Sequence, residues 1–162
     1  LDVAIFSPCA QSYSITSANA NRIVARIISP GANVPTTSEA EQILFQRGIL
    51  YIPDFVANCG GVLGSSMKRT GLRNNHIRCF LEDRIGQQTL EIIETADKQN
   101  IALGIYAQRI AEERFQRARA STERKTMGGR VFNFALEMYR KGIIPYKLVT
   151  PLAPRYFTRR FE

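Results

Sequence analysis

Three short apolar runs, rich in β-branched residues and each ended by a proline-bearing stop, set the frame of this chain. Val3-Ala4-Ile5-Phe6 is stopped by Ser7-Pro8. Ile23 to Ile28 is stopped by Ser29-Pro30-Gly31, and Ile49 to Ile52 by Pro53. Such runs fit strands buried on both faces. Helix signals lie between them. Ile15 to Ala20 suits a short helix. Thr36 with Glu39 three residues on reads as a capping box, followed by Ala40, Ile43 and Leu44 on one inner face. Gly48 stands where a left-handed residue ends a helix cheaply. Strand, helix, strand, helix, strand at this spacing predicts parallel βαβ units. The loops Ser7 to Ala10, Ser29 to Pro35 and Pro53 to Gly61 then share the carboxyl edge of one sheet, where open α/β sheets bind ligands.

From Cys79 onward the pattern turns helical. Leu81, Ile85, Ile92 and Ala96 form one expected stripe, and Ala107, Ala111, Phe115 and Ala118 a second. Gly128-Gly129 interrupts, Val131 to Tyr139 is a third helical candidate, and Gly142 is its stop. Lys68 to Asn75 is polar and expected as a loop. Pro145, Pro151 and Pro154 predict an extended basic tail. The expected organisation is a sheet-bearing part over 1–67, a helical part over 68–142 and a tail over 143–162.

At 162 residues the chain is about one domain. No apolar run approaches the roughly 20 residues that span a membrane. Leu1-Asp2 has neither the basic start nor the long apolar stretch of a signal peptide. The chain opens without Met and inside an apparent strand, which predicts a fragment. Cys9, Cys59 and Cys79 have no metal-ligand spacing and read as reduced, partly buried thiols of a cytoplasmic protein. His76 lies in a polar stretch and reads as a surface residue. Residues 1–108 hold nine Lys/Arg against nine Asp/Glu, and residues 109–162 thirteen against five, so the last third supplies the whole +8. A basic module for nucleic acid or an acidic partner is the rival this raises. No Gly/aromatic RNA-binding signature accompanies the charge, so a solvated helix face and tail is the preferred reading.

Three stretches carry the chemistry: Pro8-Cys9-Ala10, then Gly31-Ala32-Asn33-Val34-Pro35-Thr36-Thr37, then Pro53-Asp54-Phe55-Val56-Ala57-Asn58-Cys59-Gly60-Gly61-Val62. Small residues such as Ala10, Ala32, Gly60 and Gly61 let backbone approach a ligand closely. Asn amides offer both donor and acceptor. The bland alternative is that Asn33 and Asn58 only shape turns. In order and spacing the stretches resemble the glutamate/leucine/phenylalanine/valine dehydrogenase family, densely from Leu1 to Ser66. Ala102 to Gln116 is similar to the helix that returns toward that family's interdomain cleft.

The resemblance implies an α/β fold. It would be a partial Rossmann-like parallel sheet, the second half of a dinucleotide-binding domain, followed by C-terminal helices. It implies oxidative deamination of an L-amino acid to a 2-oxo acid and ammonia, with hydride passing to NAD or NADP. Ala10 and Asn33 would face the nicotinamide ribose. Asn58 would face the carboxamide and the substrate. Val62 and Ser65, three apart on one helix face, would line the side-chain pocket. A hydroxyl at 65 leans toward glutamate, while a small helix-packing serine is the alternative. The G-x-G-x-x-G turn and the family's catalytic lysine and aspartate are expected upstream, in part in a separate substrate domain. Lys68, beside Arg69, is therefore read as a solvated charge, and the chain alone as inactive. A homo-oligomer is expected, and a membrane or nucleic-acid partner is not. A regulatory homologue lacking the reaction is the remaining rival, opposed by Asn33, Asn58 and Gly60-Gly61.

Overall fold

The structure, a computed structural model, describes residues 2–123, 134–135 and 137–161. Strands β1 (Ile5–Phe6), β2 (Ile27–Ile28) and β3 (Leu50–Tyr51) form one parallel sheet in the order β1-β2-β3. Ile5 pairs with Ile27 and Ile27 with Leu50. The crossovers carry helices α1 (Ser17–Ala20) and α2 (Ser38–Gln46). The predicted βαβαβ order is thus the observed one. The hydrogen-bonded ladders are shorter than the apolar runs, two residues in each strand.

Contacts divide the chain into two compact units. The first comprises 1–62 and 86–110, the second 63–85 and 111–162. In the first, Ile15, Ala20, Ile28, Ala40, Leu44, Ile49 and Tyr51 form the core, with Ile43 packed against it. The inner face predicted for α2 is the buried one. That helix ends as expected. Gly48 takes φ +70, its N–H bonds the Phe45 carbonyl at 2.9 Å, and the Ile49 N–H reaches back to Leu44 at 3.0 Å. This paired stop buries Ile49 beside Leu44. The Arg47 guanidinium, one residue earlier, donates to the carbonyls of Ala20 and Ile23, both at 2.7 Å, tying down the end of α1.

The helix start differs from expectation by one residue. Thr37, not Thr36, is the cap, accepting from the Ala40 N–H at 3.3 Å. Thr36 is held extended in a parallel bridge with Ile15, whose N–H and C=O bond Pro35 and Thr37. A residue paired that way cannot also begin a helix. β1 is not buried on both faces either: Ile5 is 59% exposed. It is an edge strand, and among the described residues no strand pairs its outer side.

Helices α3 (Asp54–Ala57), α4 (Cys59–Arg69) and α5 (Asn74–Phe80) follow β3. The loop expected over Lys68 to Asn75 shrinks to residues 70–73. Lys68 and Arg69 complete α4, where basic residues suit the helix C-terminus. A π-helical turn at Leu81–Ile85 precedes α6 (Gly86–Lys98). The wider turn breaks the register, so the single stripe predicted from Leu81 to Ala96 is divided. Leu81 packs in the second unit, and Ala96 is buried in the first. α7 (Leu103–Glu123) contains the second predicted stripe. Only Ala107 of that stripe is buried, because residues 111–120 are all exposed.

Gly128-Gly129 and residues 131–133 and 136 of the third helical candidate lie outside the described residues. Residues 137–140 are helical and stop at Gly142, φ +74, as predicted. The tail is not extended. It forms the helices Tyr146–Val149 and Ala153–Phe161. Pro145 and Pro154 stand at helix starts, where a missing N–H costs nothing, so residues read as breakers act as starters. Ala153 and Phe157 are core residues of the second unit with Met67, Leu72 and Ile77. Hydroxyls of Tyr139 and Thr150 donate to the carbonyls of Arg69 and Thr70 at 2.5 and 2.6 Å, closing the open end of α4.

Phe157→Ala should therefore destabilise the second unit by about 3–5 kcal/mol, since it empties a packed aromatic site. Hydrogen exchange at the Met67 and Ile77 amides measures this. Unchanged protection there would mean that the C-terminal helix is not core.

Candidate functional site

Parallel strands deliver their carboxyl ends to one edge, and the loops that leave them are bonded to one another. The Ser7 hydroxyl donates to the Ser29 carbonyl at 2.7 Å, and the Ser29 N–H to Phe6 at 3.0 Å. The buried Pro8 carbonyl accepts from both Gly31 and Ala32, each at 3.1 Å. The backbones are so close at this point that a β-carbon on Gly31 would lie 2.8 Å from the Cys9 sulfur. The glycine gives space to the Cys9 side chain and does not serve a left-handed backbone.

The second loop holds a strained residue. Val34 has φ +48, an uncommon conformation for a β-branched side chain. Its carbonyl accepts from the Tyr13 N–H at 2.8 Å, and its own N–H donates to Asp54 Oδ2 at 2.9 Å. The Ser12 hydroxyl donates to the Asn33 carbonyl at 2.7 Å.

The third loop is the single turn α3. Its closing bond, Asn58 N–H to the Asp54 carbonyl at 2.8 Å, sets residues 54 and 58 one turn apart. The Asn58 amide donates to Asn33 Oδ1 at 2.8 Å and to the Ala32 carbonyl at 3.4 Å. Asn33 and Asn58, separated by 25 residues, are thus brought together. Their pairing leaves Asn33 Nδ2 as a donor and Asn58 Oδ1 as an acceptor for a further group. Neither Asn has a positive φ; Val34 between them does.

Ala10 lies in the first loop and is exposed. Val62 and Ser65 both lie on α4 and are both exposed, Val62 at 77%. Lys68 is an exposed residue of the same helix, as its neighbourhood predicted. His76 is likewise exposed, on α5. The residues that sequence reasoning missed are Asp54, Ser12 and the left-handed Val34. The first had a usable signal: an Asp four residues before Asn58, just after a strand-ending proline.

Burial dominates the electrostatics. It pushes the Tyr51 phenol up to about 12, helped by the carboxylates of Glu41 and Asp54, so Tyr51 is a neutral core group. It also raises the Cys59 thiol, whose sulfur donates to the Val56 carbonyl. Burial, then the charge of Asp54, raises Glu41. Glu41 lines a cleft of about 590 Å³ with Tyr51, Asp97 and Leu103, and approaches the open face of Gly104. No group of three or more metal-ligating side chains occurs among the described residues.

Residues 1–123 match the sequence profile of the glutamate/leucine/phenylalanine/valine dehydrogenases. The chain belongs to this family. A glutamate dehydrogenase of Aeropyrum pernix is 44% identical over 91 residues, covering 56% of this chain and 21% of that one. An NAD-specific glutamate dehydrogenase of Staphylococcus aureus is 41% identical over 96 residues, or 59% and 23% of the two chains. The L-tryptophan dehydrogenase of Nostoc punctiforme superposes with a TM-score of 0.65 at 32% identity, over 74% of this chain and 36% of that chain. The hetero-hexameric glutamate dehydrogenase of Thermus thermophilus, TM-score 0.65 at 22% identity over 73% and 30% of the two chains, shares the fold. This dehydrogenase-family chain spans about a fifth of the length of the first two relatives.

Two outcomes follow from the packing. Gly31→Ala should loosen the first two loops at a cost of about 1–3 kcal/mol from overpacking, and Cys9→Ala in the same chain should restore most of it. Thermal melts of the single and double variants decide; equal melts would dismiss the Cys9 contact. Glu41→Gln should stabilise the chain at alkaline pH. A carboxyl raised on folding weakens the native state once ionised. The gain should therefore be full above the folded pKa and vanish at and below the unfolded value of 4.5. Melting temperature against pH for both proteins gives the sign.

Proposed function

We propose that this chain supplies the nicotinamide side of the active cleft of an L-amino-acid dehydrogenase. That enzyme oxidatively deaminates its substrate to a 2-oxo acid and ammonia. The observation that carries the reading is the Asn33–Asn58 amide pair at 2.8 Å, on the carboxyl edge of the sheet in a member of this family. Both asparagines have negative φ, and the Asn58 amide also ties the third loop to the second through the Ala32 carbonyl. A donor on one amide and an acceptor on the other suit a neutral carboxamide or ribose hydroxyls.

In this reading Ala10 and Asn33 hold the ribose of NAD or NADP, and Asn58 holds the carboxamide and the amino-acid end of the substrate. The nicotinamide, when bound, accepts the hydride. The chain's own groups orient it and keep water from the reacting carbon. Val62 and Ser65 on α4 form its share of the side-chain pocket, with the Ser65 hydroxyl leaning toward glutamate. The acid/base lysine and aspartate come from a substrate domain upstream of Leu1. The working enzyme is a cytoplasmic oligomer. Among the described residues no helix is long and apolar enough to cross a membrane.

Kinetics of the dehydrogenase that contains this chain test the assignment. Asn58→Ala should lower kcat by about 30- to 1000-fold, the usual effect of losing one contact made in the transition state. Asn33→Ala should act chiefly on the KM for the cofactor, since ribose contacts persist from ground state to transition state. A kcat within about twofold of wild type for Asn58→Ala, set against that magnitude, would refute its role at the reacting centre.

A further inference from the structure

Asp54 has no role in the reading above, yet it holds the least comfortable residue of the site. The turn α3 projects two side chains, those of Asp54 and Asn58, onto one tripeptide of the second loop. Asn58 takes the Ala32 carbonyl and the Asn33 side chain, and Asp54 takes the Val34 N–H at 2.9 Å. Val34 would leave φ +48 readily if released. A β-branched side chain is crowded in the left-handed region, and Pro35 after it narrows the choices further. A carboxylate acceptor makes a strong bond to a backbone N–H, about twice as strong as a neutral one. The other restraints are neutral ones: the Tyr13 N–H on the Val34 carbonyl and the Ser12 hydroxyl on the Asn33 carbonyl.

The strain and the amide pair are adjacent. Release of Val34 from φ +48 would loosen the peptide it shares with Asn33, and with it the backbone from which the Asn33 amide meets Asn58. We infer that Asp54 is a positioning residue for the cofactor site: its carboxylate locks Val34 in the left-handed conformation and so aims the Asn33 amide at Asn58 and the ligand. The inference rests on the proposed nicotinamide role only for its effect on kinetics; the lock itself is a property of this chain.

Two measurements separate the parts. In the isolated chain, amide hydrogen exchange at Val34 reads the lock directly. Asp54→Ala should expose that N–H, whereas Asp54→Asn, which keeps an oxygen acceptor, should retain most of the protection. In the dehydrogenase that contains this chain, Asp54→Ala should raise the cofactor KM by about tenfold or more, as misplaced binding groups do. Val34→Gly should then rescue it, because glycine adopts φ +48 without strain. The double variant should return to within about threefold of Val34→Gly alone, a small residue of that effect. A merely structural Asp54 would show no such rescue. Unchanged Val34 exchange in Asp54→Ala, or a double variant as poor as Asp54→Ala, overturns the inference. Loss of Val34 protection in a protein that never reduces NAD or NADP would uphold the lock and sink the proposed function instead.

Discussion

Three strands that run the same way must all end at the same edge of their sheet, and the rest of this site depends on that constraint. It brings together three loops that are far apart in the chain, each with backbone groups that need partners. They satisfy one another. The Pro8 carbonyl takes two N–H groups from the second loop, and the third loop reaches the same segment through Asp54 and Asn58. Because the loops bond each other, the Asn33 and Asn58 amides are held by the sheet. Glycine at 31 leaves room for the Cys9 side chain, whose sulfur an added β-carbon would meet at 2.8 Å.

Helix termination does comparable work farther from the site. α2, α6 and the helical segment before Gly142 all stop at a left-handed residue with the same pair of returning hydrogen bonds. The residues are Gly48, Asn100 and Gly142. Each stop turns the chain sharply, with the N–H of the next residue, Ile49, Ile101 or Ile143, bonded back to the helix it leaves. In the first unit this places Ile49 against Leu44 and leads directly into β3. The proline-started helices at the C-terminus do the equivalent for the second unit, where Phe157 stacks edge-on against Phe80 and Tyr156. Basic residues cluster in the last third, but the same segment contributes core.

The strained Val34 marks the point where local preference and site geometry disagree. Every strand and most helices here agree with their local sequence. Val34 does not, nor does its partner Tyr13 at φ +56, and Val34 lies between the Asn33 side chain and the Asp54 carboxylate. Strain of that kind persists only when surroundings over-determine it. Here the surroundings include hydrogen bonds from Asp54 in the third loop and from Tyr13 and Ser12 after the first strand, none of which exists in the isolated segment.

The βαβαβ order, the parallel sense, the inner face of α2, the stops at Gly48 and Gly142, and the loops that would meet are all legible along the chain. These follow from periodicity, turn chemistry and strand length, which are local. Only the tertiary structure decided the one-residue shift of the α2 cap, because Thr36 is captured by Ile15 from another element. It alone divided the Leu81 to Ala96 stripe, through a π turn that periodicity does not register. It turned the tail from strap to core, because prolines that look like breakers start helices once a partner surface exists. It alone joined Asn58 to Asn33 and Asp54 to Val34. Hydrogen bonds between residues 20 and 25 apart have no signature along the chain, because they exist only after the sheet has brought its three ends to one edge.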